Sequence, residues 1–524
     1  MRLLIILIIT IQLYCFLPNK KKQEEKREQQ NVLLLLLVTL NNICEPERGG
    51  YFFPNFETED YDCLRTSLVY EDSKVRILVQ NGLMKFQQEL GISQIDYNNI
   101  GSAFTNNIYP KLTPIFGNPT DINQDGKIDI LFFGLPEYYS QGAFIAGFVD
   151  PLHFFERRGL PSNQREILFI NGLELQELRD IYKKEEKPDP MLSTIAHEFQ
   201  HLVRVRYEMN IPSNKPIPVP RTQSELSSLL NFDDTWIDEG TSELASDIAG
   251  YGPQYSRVGC FRGDPRYGCR GGFSGRSLFD WSGSIMNYSF SYAFMKYLYE
   301  VSSSTIQGKN LFLGQTVTGQ FPYRGKDVSS LMNSFAAKSQ TFNMTYLSNS
   351  PEGMFQRLYG LFLGLSLGYE TNSTNSEDSY IQIGNNSPIY FNTISNIYPY
   401  PTELQNLMNF SSDITQVSGT NFELLSSRVY RVKGTRAAGP YSETAVAVTR
   451  GKNGGPDPKD FLIFNGNTTK EKFISTKNFQ EEMETAAVRP TLKLPISPQK
   501  IQIPIDPYFK ESTKYILWKQ IFSH

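Results

Sequence analysis

One short motif, His197-Glu198-Phe-Gln-His201, places the strongest limits on what this chain can fold into. In an α-helix, residues four positions apart project from the same face, so the two imidazoles could bind a single Zn²⁺. Glu198 stands beside the first histidine, where its carboxylate can take a proton from a metal-bound water. The chain has only four histidines, so this pairing predicts a zinc hydrolase rather than a helix with two histidines by chance.

The flanking residues predict where this helix begins and ends. Asp189 suits the N-cap and Pro190 suits the first helical position, while Pro212 follows the end. The helix should also have a buried apolar face, because three apolar residues recur at helical spacing. These residues are Ile195, Phe199 and Leu202.

A catalytic zinc usually has three protein ligands and a water, so a third ligand must come from elsewhere. The class H-E-x-x-H-x-x-G-x-x-H is excluded, because Arg204 and Tyr207 stand where its glycine and third histidine would be. His153 could serve only from an unrelated segment, and His524 is the last residue. A carboxylate is therefore the better candidate.

The segment around Trp-Ile-Asp-Glu-Gly at 236–240 supplies such a carboxylate. It should form a helix that starts after Asp-Thr at 234–235 and stops at Gly250. Glu239, Glu243 and Asp247 follow at i,i+4 steps on one face, opposite a predicted core line. That core line consists of Ile237, Leu244 and Ile248. We predict Glu239 as the third zinc ligand, and the alternative is a merely solvated acidic face.

The order of these motifs resembles the gluzincin arrangement and, more specifically, the hyicolysin-like family of bacterial metallopeptidases. The matching region covers about residues 65–300, somewhat under half the chain. The segments that carry the resemblance are FGNPTDINQDGKIDIL at 116–131, GAFIAGFVDP at 142–151, REILFI at 165–170, HEFQH at 197–201 and WIDEG at 236–240. The helix motif together with W-x-x-E-G is the specific part, and the other segments are weak singly.

The resemblance implies a zinc site with His197, His201 and Glu239 as ligands and Glu198 as general base. It also implies that Glu243, four residues after the third ligand, orients a ligand histidine. Gluzincins need a donor that stabilises the developing oxyanion. Tyr288 and Tyr292, near the start of a helix predicted at 289–301, are the candidates, because they follow all the proposed ligands and no histidine except His524 is available downstream.

A second metal site is suggested by Asp121, Asn123, Asp125 and Asp129, which have the spacing that begins a calcium loop. The twelfth position is Phe132, so the usual bidentate carboxylate is missing. A plain Asx turn into a strand at 128–133 is the alternative interpretation.

The amino-terminal sequence predicts export. The apolar run at 3–13 is too short to span a bilayer but suits a signal peptide, and Cys15 follows it. This pattern resembles a lipoprotein signal with Cys15 lipidated, although Tyr14 stands where a small residue is usual; an ordinary signal peptide or an uncleaved anchor are alternatives. Residues 20–30 read as a disordered tether. The protein is then an outer-membrane or cell-surface lipoprotein, or it is secreted. In detergent partitioning, wild-type protein found in the aqueous phase and beginning at a residue other than Cys15 would contradict lipidation.

Four cysteines remain if Cys15 carries lipid. An even number in an exported protein predicts disulfides, and the simplest pairs join neighbours in the sequence. These pairs are Cys44 with Cys63 and Cys260 with Cys269, although four cysteines allow three connectivities.

The length of 524 residues allows two or three domains. We predict an α+β fold, with a signal at 1–15, a tether at 16–48, a gluzincin-like peptidase domain at 49–370 and a β-rich accessory domain at 371–524. Within the peptidase domain we predict a helix around 75–90 and strands at 128–133 and 166–170. Either 142–148 or 166–170 should provide the edge strand that aligns substrate.

The function predicted from these features is a zinc-dependent endopeptidase that acts on proteins or peptides. An aminopeptidase is less favoured, because no amine-binding G-x-M-E-N-like segment precedes the zinc motif. A surface adhesin in which proteolysis is secondary or absent is the alternative from another class. The net charge of −4 gives no reason to expect nucleic acid as a partner, and the sequence leaves the oligomeric state open.

Overall fold

A computed structural model describes most of the chain between Cys44 and Phe362, together with the backbone of five strands beyond it. The described residues are 44–55, 60–83, 93–134, 145–172, 175, 179, 188–220, 225, 229, 233–261, 273, 276–279, 281, 283–303, 305–319, 324–338, 350–351, 354–355, 358–359, 362, 380–383, 389–390, 426–431, 443–448 and 461–465. The fold is mixed α and β. In this part of the chain no helix combines the length and the apolar character needed to cross a membrane.

The first sheet has six strands in the spatial order β1-β2-β3-β4-β6-β5. Strands β3, β4 and β6 are parallel, whereas β1, β2 and β5 join antiparallel to their neighbours. The ranges are β1 Gly50–Asn55, β2 Asp60–Glu71, β3 Val75–Gln80, β4 Ile128–Phe133, β5 Gly147–Phe148 and β6 Ile167–Asn171. The prediction of a strand at 128–133 is confirmed, and the strand predicted at 166–170 is displaced by one residue.

The predicted helix around 75–90 is wrong at its start, because Val75–Gln80 forms strand β3. This strand lies between β2 and β4, and Val75, Ile77 and Val79 are fully buried. A strand buried on both faces shows a nearly continuous apolar run instead of alternation, so its pattern resembles that of a buried helix.

In the described part of the chain, helices pack on one face of this sheet and form the rest of the main core. Among the described residues the helices are α1 Gln94–Ala103, α2 Tyr109–Phe116, α3 Pro190–Glu208, α4 Thr235–Ala249, α5 Tyr255–Phe261, α6 Ile285–Ser302, α7 Ile306–Thr318 and α8 Val328–Lys338, with a π-helical turn at Phe104–Ile108 between α1 and α2. Short 3₁₀ turns lie at Pro46–Arg48 and Pro151–Phe154.

Helix α3 is central and is buried along most of its length. It begins as predicted, since the Asp189 carboxylate accepts hydrogen bonds from the amides of Met191 and Leu192 and so caps the first turn. The predicted apolar face is confirmed. Phe199 is fully buried, with its ring centre 5.2 Å from that of Phe104 in the π-helical turn.

Helix α4 begins at Thr235, one residue before the predicted start, and it ends as predicted, since Gly250 adopts the left-handed conformation that terminates it. Its partner α6 packs very close to it at Gly240. A Cβ on that glycine would lie 2.6 Å from Met295 Cγ and 2.8 Å from the Ser291 carbonyl oxygen. The glycine that follows Glu239 therefore sets the spacing between α4 and α6.

A disulfide joins Cys44 to Cys63 and ties the start of the described region to β2. Cys260, at the end of α5, is also disulfide-bonded. Its predicted partner Cys269 lies outside the described residues.

A second sheet is antiparallel, with the order β7-β10-β11-β12-β8-β9. Its strands are β7 Arg276–Ser277, β8 Tyr380–Ile383, β9 Ile389–Tyr390, β10 Ser426–Arg431, β11 Glu443–Val448 and β12 Phe461–Asn465. Five of the six come from the region predicted to be β-rich, and β7 joins them by pairing with β10.

Candidate metal centre

Helices α3 and α4 pack antiparallel, and this packing brings the predicted ligands together. Near one end, Ser246 Oγ donates to the Ser193 carbonyl oxygen at 2.7 Å. Near the other end, the Asp233 amide donates to Glu208 Oε1 at 3.3 Å. The two histidines of HEFQH and the glutamate of WIDEG lie between these contacts and face one another.

Three ligand atoms converge at this interface, namely Nε2 of His197, Nε2 of His201 and Oε2 of Glu239. The distances are 3.0 Å between the two nitrogens, and 3.1 and 3.4 Å from the carboxylate oxygen to His197 and His201. A tetrahedral Zn²⁺ with donors at about 2.0–2.2 Å would hold them roughly 3.3–3.6 Å apart. Two imidazoles and a carboxylate are a donor set of catalytic zinc, so these residues fit the ion after shifts of a few tenths of an ångström.

Glu198 lies beside this cluster and is nearly fully buried. Burial raises the pKa of its carboxyl to about 7, although the charges of His197 and His201 oppose the rise. A divalent cation on the neighbouring ligands would lower this pKa again and favour the carboxylate form. That form is the one a general base needs.

The far side of each imidazole faces an acid. Glu243 Oε1 lies 3.8 Å from His197 Nδ1, and Asp238 Oδ1 lies 3.0 Å from His201 Nδ1. Glu243 thus has the position implied by its spacing, but it is buried rather than on an exposed face. Sequence reasoning missed Asp238. The antiparallel register of the two helices could have indicated it, because that register sets the residue before Glu239 opposite the second histidine.

Arg257 on α5 is a second residue that sequence reasoning missed. Its Nε donates to Glu243 Oε1 at 2.7 Å, and its guanidinium carbon lies 4.9 Å from the centre of the Tyr288 ring. Local sequence could not have indicated it, because the position of Arg257 depends on how α5 packs against α6.

Tyr288 and Tyr292 are one turn apart on α6 but have different surroundings. The Tyr288 ring centre lies 6.4 Å from that of His197, and this side chain is partly exposed. The charge of Glu239, followed by burial, raises the pKa of Tyr288 well above its usual value, so its hydroxyl stays protonated and can donate. Tyr292 is buried, and its hydroxyl donates to Asp247 Oδ2 at 3.0 Å. The structure therefore favours Tyr288 over Tyr292 as the donor.

Strand β5 crosses α3 directly at Glu198, and a glycine stands at the contact. A Cβ on Gly147 would lie 2.9 Å from both Glu198 Cγ and the Phe169 carbonyl oxygen, and 3.0 Å from Thr194 Cγ2. Of the two candidate edge strands, β5 is terminal in the sheet among the described strands, whereas β6 lies inside it.

Replacing Gly147 should displace strand β5 and so disturb the site at Glu198. In Gly147→Ala the new methyl must separate β5 from α3, and we expect kcat/KM for a protein substrate to fall by up to about 10²-fold. Gly82→Ala is the matched control, because a Cβ there meets nothing within 4 Å. Steady-state kinetics of both variants test this, and equal activities would show that β5 can move without affecting Glu198.

The predicted calcium loop uses its carboxylates in internal contacts. Asp125 Oδ2 lies 2.6 Å from Arg76 Nη2, and Asp129 Oδ1 accepts from Arg76 Nε at 2.6 Å. Asp121 Oδ1 accepts from the Gly126 amide at 3.0 Å. These contacts favour the Asx turn into β4, and calcium binding stays a prediction without further support.

The remaining predicted residues lie apart from the ligand cluster or outside the described chain. His153 is buried, and its ring nitrogens contact Asn163, with Nε2 at 3.1 Å from the side-chain Nδ2 of Asn163. Cys15 and His524 lie outside the described residues.

A comparison with known proteins found a sequence similarity that bears on this site. No protein-family model matches the chain. It is 24% identical over 263 residues to "Neutral metalloprotease ShpI" of Staphylococcus hyicus, which is 49% of this chain and 52% of that protein. The chain thus spans about half the length of the curated relative it matches. Together with the His-His-Glu cluster, whose ligand atoms all lie within 4.8 Å of one another, this similarity supports a metallopeptidase and a bound metal.

Proposed function

We propose that the protein is a zinc-dependent endopeptidase. The observation that carries this proposal is the convergence of His197, His201 and Glu239 on one point, with the buried Glu198 beside them. The distant similarity to a neutral metalloprotease supports the same reaction class. We also propose that the peptidase domain has the gluzincin architecture and that the protein is related to the hyicolysin-like metallopeptidases.

In the proposed mechanism His197, His201 and Glu239 would hold Zn²⁺, which when bound lowers the pKa of water and polarises a carbonyl. Glu198 accepts the proton of the attacking water and then donates it to the leaving amine. Tyr288 donates a hydrogen bond to the oxygen that gains charge. Strand β5 aligns an extended substrate by backbone pairing, since it lies at the sheet edge beside Glu198.

The two tyrosines provide a matched test of the donor. Tyr288→Phe removes a hydrogen bond needed in the transition state, so we expect kcat to fall about 10²–10³-fold with zinc content unchanged. Tyr292→Phe should instead lower the free energy of unfolding by about 1–3 kcal/mol, because Asp247 loses a buried partner, with activity retained. Kinetics and thermal unfolding of both variants distinguish these roles, and reversed outcomes would reassign the donor to Tyr292.

The function as a whole is tested with purified protein and an unfolded protein substrate. We expect about one zinc per chain, cleavage at internal bonds, loss of cleavage after chelation and its return when zinc is added. A protein that binds zinc without cleaving would favour the adhesin alternative, and release of single amino-terminal residues would favour an aminopeptidase. A protein without bound metal would contradict the proposal.

We propose an exported location with a lipid anchor at Cys15 only on the sequence pattern of the amino end. Residues 1–43 lie outside the described chain, so the anchor stays a prediction. The zinc site does not depend on it.

A further inference from the structure

Helix α3 carries a fully buried arginine one turn after the second histidine. The guanidinium of Arg204 donates to Asp233 Oδ2 from Nε at 3.0 Å and from Nη2 at 2.7 Å. It also donates to Thr241 Oγ1 at 2.9 Å and to the Gly325 carbonyl oxygen at 3.0 Å. These partners come from the residues before α4, from α4 itself and from the segment before α8. The guanidinium is therefore fixed from several sides.

One carboxylate, that of Asp238, links the same guanidinium to the metal centre. Arg204 Nε is 3.4 Å from Asp238 Oδ1, and this same oxygen is 3.0 Å from His201 Nδ1. An acid that accepts the Nδ1–H bond of a ligand histidine fixes its tautomer and ring orientation, which leaves Nε2 free for the metal. Ser242 Oγ also contacts His201 Nδ1, at 3.2 Å.

A second arginine, Arg324, holds Asp233 on the side away from Arg204. Asp233 Oδ1 accepts from Arg324 Nη2 at 2.7 Å, and the side chain of Asp233 is fully buried. Asp233 is thus held between two guanidiniums, and Arg204 between Asp233 and Asp238. A lysine could not make these contacts together, because its ammonium is a single point of charge without a planar fork.

We propose that Arg204 is a positioning residue of the metal centre, which fixes Asp238 so that Asp238 orients His201 toward zinc. This inference rests on the proposed zinc site. Arg204 touches no ligand atom itself, and the carboxylate of Asp238 is the group that joins its guanidinium to a ligand histidine.

The test measures the zinc dissociation constant by chelator competition for the full chain, for Asp238→Ala, for Arg204→Lys and for the double variant. We expect Asp238→Ala to bind zinc about 10–100-fold more weakly and Arg204→Lys to be weaker in the same range. The double variant should match Asp238→Ala, because the carboxylate that joins residue 204 to His201 is then already absent. Thermal unfolding of each metal-free variant establishes that it is folded before titration.

Arg76→Lys is the matched control, since Arg76 also holds two acids but lies in the Asp125–Asp129 cluster away from the ligands. It should lose thermal stability and keep wild-type zinc affinity. Wild-type affinity in Arg204→Lys, or an additive loss in the double variant, would overturn the inference. If Arg204→Lys does not fold, unchanged affinity in Asp238→Ala alone overturns it. Wild-type protein that binds no zinc would instead refute the proposed function.

Discussion

Glu198→Gln should bind zinc as tightly as the wild-type protein and lose about 10²- to 10⁴-fold in kcat, the usual contribution of general acid–base catalysis. The amide keeps the shape of the buried side chain but cannot accept the proton of water. Metal analysis and single-turnover cleavage of an unfolded substrate measure the two effects separately.

Glu71→Gln is the matched control for this change from acid to amide. Glu71 lies on β2, is exposed and pairs with Lys127 at 2.7 Å, away from the ligand cluster. It should keep full activity. If Glu198→Gln kept full activity as well, the motif would be structural, whatever metal it binds.

His197→Ala should lower zinc affinity by more than about 100-fold, because even the loss of an outer partner of a ligand costs about 10–100-fold. Activity should fall with metal content. In wild-type protein, zinc at about 100 times its dissociation constant should add about 2.7 kcal/mol to the free energy of unfolding. Added zinc should therefore raise the Tm of the wild type and leave that of His197→Ala nearly unchanged.

His153→Gln provides the control for the loss of a histidine. His153 is also buried, but it contacts Asn163 and lies outside the ligand cluster. It should keep zinc affinity even if its Tm falls. Undiminished zinc in His197→Ala would exclude that residue as a ligand.

The helices that carry the candidate site could be predicted from sequence because their signals are local. Asp189 and Pro190 mark the start of α3, and Gly250 marks the end of α4, through capping and backbone conformation alone. The ligand pair on α3 follows from helical periodicity. By contrast, the run that begins at Val75 was interpreted as a helix, since burial of both faces of a strand removes the alternation that identifies it.

The contacts around the ligands could not be predicted, because they depend on how separate elements pack. The choice between Tyr288 and Tyr292 requires knowing which turn of α6 faces the metal site. The positions of Gly147 and Arg257 require the docking of β5 and α5 against helices distant in sequence. Asp247 illustrates the same limit: its spacing placed it on the face of Glu239, yet it bonds to Tyr292 and Lys296 in a separate ionic cluster.

The bridge between Cys44 and Cys63 determines how mechanical force would enter this molecule. A pull on the amino-terminal segment reaches the described chain at Cys44 and passes through the covalent bond to Cys63 in β2. Strand β1 lies inside the closed loop and bears none of the tension, although its hydrogen bonds to β2 would otherwise be the first to open. Reduction of the bridge would place the whole segment between the two cysteines, which are 19 positions apart, under load. Under tension this segment would extend the molecule by roughly 60 Å.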